Sequence, residues 1–240
     1  MDKRIVIIPT YNEIENIESI INAVFHLKKS FDVLIVDDNS PDGTAIKVKE
    51  LQIQFSDRLF IEVREKKSGL GTAYVHGFKW ALQNNYDYIF EMDADFSHNP
   101  NDLEKLYEAC LQGADLSIGS RYSKGVNVVN WPLSRVLLSY FASVYVRLIT
   151  GMKIADATAG FVCYKRNVLE VINLDRVKFI GYAFQIEMKY RAFVKKFEIV
   201  EVPIIFTDRT KGQSKMSGSI IKEAVFGVIL LRIKKIFNTL

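Results

Sequence analysis

The chain has 240 residues, 49% of them hydrophobic, which excludes a disordered chain and suits one large domain or two small ones. Its net charge of +4 is mild, but basic residues crowd the second half, from Arg121 to Lys235, and that bias favours an anionic partner. No nucleic-acid module is present, and aromatic residues do not alternate with the basic ones as a base-stacking groove requires, so no nucleic-acid partner is expected. Cys110 and Cys163 lack metal-ligand spacing and read as free, buried thiols of a reducing compartment. The opening MDKRIVIIPT runs straight into a strand-like stretch without the regions of a signal peptide, from which a cytoplasmic protein is expected.

In chain order, apolar runs alternate with amphipathic ones: Arg4 to Pro9, then Ile14 to Lys28; Val33 to Val36, then Thr44 to Phe55; Leu59 to Val63, then Thr72 to Asn84; Tyr88 to Met92, then Asn101 to Leu111; finally Leu116 to Gly119. Short β-rich runs with helix-length spacers predict βαβ units, hence an α/β fold whose mostly parallel sheet has helices on both faces. Asn12 and Glu15 suit a helix start after Pro9, and Asn39 to Gly43 suits a turn before the second helix. Beyond Gly119 follow a polar loop to Asn130, an amphipathic stretch from Pro132 to Thr150, a strand-like GFVCYK, a helix around Ala183 to Val194 and a last strand from Ile199 to Phe206, which predict a sheet mixed at one edge. With no internal repeat or linker, one compact domain over 1–216 is expected, followed by a helical tail over 217–240. The tail's apolar segment, Ile220 to Leu231, is too short to span a bilayer and ends in Arg232, Lys234 and Lys235; it suits either a membrane surface or packing on the domain.

Chemistry-bearing residues gather where the strands end. In IFEMDADFSHNP, Asp93 and Asp95 are two apart, so an extended strand would aim both at one face and into the crevice where open α/β sheets bind ligands. Two hard carboxylates suit Mg²⁺ or Mn²⁺ that shares its remaining positions with water and substrate phosphates, while an acidic turn is the plainer alternative. PTYNE, VDDNSPDGT, KKSGLGTAYVHG and GSRY close the other four strands. His76 suits a packed or capping role and His98 a support beside the acidic motif, with no Ser, His and Asp arrangement for a nucleophilic triad.

The order PTYNE, DDNSPDGT, GLGTAYVHG, MDADFSHNP, GSRY, DATAGF, FQIEM and DRTKGQSKM resembles the inverting family 2 glycosyltransferases of GT-A (Rossmann-like) fold, and among them the polyprenyl (dolichyl) phosphate mannose synthases. The resemblance implies metal-dependent transfer of mannose from the nucleotide sugar GDP-mannose to a dolichyl or polyprenyl phosphate, peripherally on the cytoplasmic face of a membrane. Another sugar donor, such as UDP-glucose, or a nucleotide-sugar-binding module without turnover are the alternatives. It assigns Pro9, Tyr11, Glu13, Ile35, Asp37, Asp38 and Gly71 to the donor, with Asp93, Ala94 and Asp95 at its metal and diphosphate. Arg209 and Lys215 would close over the nucleotide. Arg121 would serve both substrates, joined by Arg135 and Ser139 at the acceptor phosphate; Asp93, Asp95, Arg121 and Arg135 would carry the catalysis. Ser97 stands where relatives carry glutamine, and Asp156 and Gln185 are candidate sugar or structural contacts.

Overall fold

A computed structural model describes residues 2–208 and 218–237. Four βα steps open the chain: β1 (Arg4–Thr10), α1 (Ile17–Phe25), β2 (Asp32–Asp37), α2 (Thr44–Gln52), β3 (Leu59–Val63), α3 (Leu70–Gln83), β4 (Tyr88–Glu91) and α4 (Asp102–Leu111). Then come β5 (Leu116–Ser120), β6 (Val128–Val129), α5 (Leu133–Thr150), β7 (Val162–Lys165), α6 (Arg166–Val171), α7 (Tyr182–Val194), β8 (Ile199–Pro203), β9 (Phe206–Thr207) and α8 (Gly218–Ile236). The first helix starts later than Asn12 suggests, because Asn12 adopts a left-handed φ of 59° that no helix accommodates.

Seven strands form one sheet in the order β3-β2-β1-β4-β7-β5-β8. Only β7 is antiparallel, and it pairs with both β4 and β5, so the reversal lies inside the sheet and not at its edge; the edge strand β8 is parallel to β5. The expected last strand is also divided. β8 ends at Pro203, with Ile204 N–H still donating to Ser120 O at 3.1 Å, and the chain goes on to form β9, which pairs with β6 in a separate two-stranded sheet.

Both faces of β1 are sealed, which explains its unbroken apolar run: Ile5 and Ile7 enter one core cluster, Val6 and Ile8 the other. Among the described residues, α1, α2 and α4 cover the second face, while α3, α5, α6, α7 and α8 contribute to the first. Cys110 and Cys163 are free and buried, their sulfurs 3.6 Å apart between α4 and β7.

Candidate active site

Parallel strands β1, β2, β3, β4 and β5 send their carboxyl ends to one rim, and the loops there are tied to one another. Asn12 N–H donates to Ser40 Oγ (3.0 Å), Glu13 N–H to Thr44 Oγ1 (3.0 Å) and Ile14 N–H to Asp42 Oδ2 (3.1 Å), so the loop after β1 is held on the loop after β2. The third loop joins them: Lys67 Nζ lies 4.3 Å from the centre of the half-buried Tyr11 ring, and Arg64 pairs with Asp38 and donates to Thr72 Oγ1 at 2.8 Å. Arg64 and Lys67 give no local signal in the sequence, since their partners lie on other loops.

Several expected donor contacts have structural duties. Asp37 is fully buried and accepts from Thr10 Oγ1 (2.7 Å), Ser40 Oγ (2.6 Å) and Ser40 N–H (2.8 Å), which fixes the turn before α2 without capping it. Ile35, also expected at the donor, has a fully buried side chain in the apolar cluster that includes α1. Gly71 does make a close approach, but to this chain itself: an added Cβ would stand 2.5 Å from Phe179 O and 2.9 Å from Phe184 Cβ, and its N–H donates to Ile180 O at 2.9 Å. Pro9, Tyr11 and Glu13 remain partly exposed at the rim.

β4 ends at Glu91, so Asp93 and Asp95 sit in the turn beyond it, and strand alternation does not set their directions. The turn itself does. Asp93 N–H donates to His98 Nδ1 (3.2 Å), Ser97 N–H to Asp95 Oδ1 (3.1 Å), and Phe96 takes a positive φ of 59°. Asp93 is 40% exposed by side chain, whereas Asp95 is nearly covered and Ala94 is buried. His98 is stacked on Phe161 at 4.8 Å, and burial lowers its pKa to about 4, which keeps the imidazole neutral with Nδ1 as acceptor. His76, by contrast, is an exposed partner of Glu62 at 3.1 Å and neither packs nor caps. Among the described residues no three acidic, histidine or cysteine side chains converge as a metal cage.

Behind this turn lies a sealed polar cluster. Glu91 accepts from Gln185 Nε2 (2.5 Å), and Lys189 Nζ donates to Ala159 O (2.6 Å) and Gln185 O (3.1 Å). Burial raises the Glu91 pKa to about 7, against the pull of Lys189, and lowers that of Lys189 to about 8. Gln185 is thereby a structural link between β4 and α7.

On the other side of the turn stand the basic residues. Arg121 is buried and grips Asp156 with Nε (2.7 Å) and Nη2 (2.6 Å), and Nη2 also reaches Thr158 Oγ1 at 2.8 Å. Arg135 donates to Asp208 Oδ1 at 2.8 Å while its guanidinium lies 4.0 Å from the Trp131 ring centre. Ser139 follows one turn later on α5, half-buried. Arg209 and Lys215 lie outside the described residues. The loop after β1 thus carries Tyr11 and Glu13 and the turn after β4 carries Asp93 and Asp95, while Arg121 and Arg135 share the Trp131 ring near the start of α5, each paired with a carboxylate, Asp156 and Asp208.

Residues 5–172 match the family described as glycosyl transferase family 2, and this chain belongs to that family. It is an enzyme of the glycosyltransferase class. The polyprenol monophosphomannose synthase of Mycolicibacterium smegmatis is 49% identical over 94% of this chain and 85% of its own length. The undecaprenyl-phosphate mannosyltransferase of Micrococcus luteus is 44% identical over 92% and 90%, and the dolichol-phosphate mannosyltransferase of Pyrococcus furiosus 37% over 91% and 60%. Among solved structures, glucosyl-3-phosphoglycerate synthase from Mycobacterium tuberculosis, in complex with Mn²⁺, UDP and glucosyl-3-phosphoglycerate, shares the fold with a TM-score of 0.67 at 18% identity, over 98% of this chain and 80% of its own.

Proposed function

We propose that this chain transfers mannose from GDP-mannose to a polyprenyl phosphate at a membrane surface. The observation that carries the reading is the division of one rim into a carboxylate turn, with Asp93 and Asp95, and an arginine side, with Arg121 and Arg135, in a chain whose relatives bear mannosyltransferase names. Tyr11 and Glu13 suit the base and ribose, and Lys67 is a further cation on that side. Hard oxygen donors at a half-exposed turn fit Mg²⁺ or Mn²⁺ completed by diphosphate oxygens. Asp93 and Asp95 would hold the ion, which would supply charge neutralisation to the departing nucleoside diphosphate.

A phosphate monoester has its second pKa near 6 and is mostly a dianion at neutral pH, so it needs no general base. Arg135, and Ser139 on the same face of α5, would orient that phosphate for attack on the anomeric carbon. The sugar–diphosphate bond breaks as the new bond forms, with one inversion from an α-linked donor to a β-linked product. Arg121, clamped by Asp156, shapes the loop after β5.

The localisation belongs to the same reading. Helices α5 and α8 lie side by side, joined by Tyr145 Oη donating to Val225 O at 2.9 Å, and both expose apolar stripes. α5 is long and apolar enough, at 18 residues and mean hydropathy 1.2, to cross a membrane by length and composition. Its place beside the rim suits a helix lying in the interface, which would bring Arg135 and Ser139 to the level of lipid headgroups.

The test is a screen of radiolabelled nucleotide sugars against a polyprenyl phosphate, with product recovered in organic solvent. Mannose from GDP-mannose should be transferred in Mg²⁺ or Mn²⁺ and not in EDTA. Full turnover in EDTA removes the metal, and preferential use of another nucleotide sugar removes GDP-mannose.

A further inference from the structure

The carboxylate turn and the arginine side meet at one ring. Phe206 on β9 is half-buried, its centroid 5.2 Å from Trp131 at an interplanar angle of 68° and 5.5 Å from His98 at 79°. Both are edge-to-face contacts, the favoured geometry for aromatic pairs. On one side, Trp131 carries Arg135 at 4.0 Å and Arg121 at 5.4 Å, and Arg121 is also 5.5 Å from Phe206 itself. On the other side, His98 receives the Asp93 N–H on Nδ1 and is fixed against Phe161.

The main chain makes the same connection. Phe206 N–H donates to Asn127 O (3.0 Å) and Asp208 N–H to Val129 O (3.0 Å), which bind this segment to the loop leading into α5. Between them, Thr207 N–H points to Ser97 O at 3.4 Å, in the carboxylate turn. Three consecutive residues therefore hold the arginine side with alternate N–H groups and the Asp93 turn with the intervening one.

From this geometry we infer that Phe206 is a positioning residue that couples occupancy of the acceptor-phosphate arginines to the placement of Asp93 for the donor. A phosphate that draws Arg135 shifts the Trp131 ring on which it rests. Aromatic rings have few rotamers and transmit such a shift through Phe206 to His98, and so to the Asp93 backbone. Transfer needs both substrates aligned, so a link of this kind would favour donor alignment at Asp93 when an acceptor is present. The inference rests on the division into donor and acceptor sides proposed above.

The test is calorimetric, with the full chain. GDP with Mn²⁺ is titrated in the absence and presence of a short, water-soluble polyprenyl phosphate, for the unaltered chain, Phe206→Leu and Phe206→Tyr. In the unaltered chain the polyprenyl phosphate should tighten GDP–Mn²⁺ binding by about tenfold, within the usual range for coupled sites. Phe206→Leu keeps apolar bulk but lacks the ring; it should bind each ligand alone within about threefold of the unaltered chain and lose the coupling. Phe206→Tyr keeps the ring and should retain it. The inference is overturned if both ligands bind the unaltered chain independently, if Phe206→Leu keeps the coupling, or if Phe206→Tyr loses as much as Phe206→Leu. Failure of the unaltered chain to bind the polyprenyl phosphate at all would instead sink the acceptor reading, and this inference with it.

Discussion

The pairing of Arg121 with Asp156 decides what each residue can do. Both are buried, the carboxylate accepts two guanidinium bonds and the Arg121 N–H at 2.9 Å, and Glu201 holds the Ala155 and Asp156 N–H groups at 2.7 and 2.9 Å. Removing one partner of such a pair strands the other charge, so Asp156→Asn should cost about 3–5 kcal/mol in a urea melt at neutral pH. The pH dependence has a definite sign. Burial raises the Asp156 pKa, but Arg121's charge and hydrogen bonds outweigh it, leaving the folded value below the ordinary 3.8. The pair's contribution is therefore complete above 3.8 and fades as the pH falls through the folded value. The stability gap between the unaltered chain and Asp156→Asn should narrow over that acidic range; a gap that widens there contradicts the ion-pair account. Asp93→Asn, at an exposed side chain on the rim, should leave the melt nearly unchanged, while Asp95→Asn, which keeps the Oδ1 acceptor for Ser97 N–H, should alter it only modestly. Because metal-assisted departure is worth several kcal/mol, each should lower transfer at least about a hundredfold. Arg135→Ala loses charge-assisted bonds of about 1.5–3 kcal/mol and should raise the acceptor KM with little change in donor affinity. Equal losses on both substrates would mean that Arg135 does not belong to the acceptor side.

Between elements, the tightest requirement lies where α3 meets the start of α7. An alanine methyl at Gly71 would press on Phe179 O and the Phe184 side chain, so Gly71→Ala should destabilise by about 1–3 kcal/mol, the usual cost of overpacking. A neutral melt would show that the 179–184 segment can yield. That contact also marks the limit of what the sequence discloses. A glycine after a strand and before a helix is visible as a close-approach position, but not what approaches; the partner lies more than a hundred residues away. The same holds for Asp38, whose acidity is evident in VDDNSPDG while its neutralisation by Arg64 is not. Strands β1 and β2 are legible because each is an apolar run buried on both faces, whereas β3, at the sheet edge, is only partly covered and is read from its β-branched and aromatic residues. GFVCYK is legible as a strand too, yet its insertion between β4 and β5 is a matter of long-range pairing that its composition does not encode. Motif order therefore discloses which residues reach the rim, and tertiary pairing decides which of them the protein has already committed.

At the scale of the whole molecule, α8 is neither a detached tail nor a wholly packed helix. Val228 and Leu231 are buried in the core with α7 beside them, while Phe226, Ile229, Leu230, Ile233 and Phe237 recur at helical spacing and are exposed. α5 does the same with Leu133, Leu137, Phe141 and Leu148. Removing α8 would open the core as well as the outer face, so truncation confuses folding with membrane binding. Point charges separate them. Phe141 is 60% and Phe226 70% exposed, so Phe141→Glu and Phe226→Glu should leave the urea midpoint nearly unchanged. If the paired stripes dock on lipid, each change should weaken binding to anionic vesicles, by removing apolar contact and adding repulsion, and the double variant should weaken it further. Activity on a long-chain polyprenyl phosphate in vesicles should fall in parallel. Activity on a short, soluble polyprenyl phosphate should hold, because neither side chain belongs to the rim. Raising the salt should reproduce only part of the loss, since each basic residue near the surface, such as Arg232 or Lys235, contributes about 1 kcal/mol that salt screens, while apolar insertion persists. Vesicle binding unchanged in the double variant would place the membrane contact elsewhere on the molecule. Loss of the soluble reaction as well would mean that these helices act on the site directly and do more than deliver it to the interface.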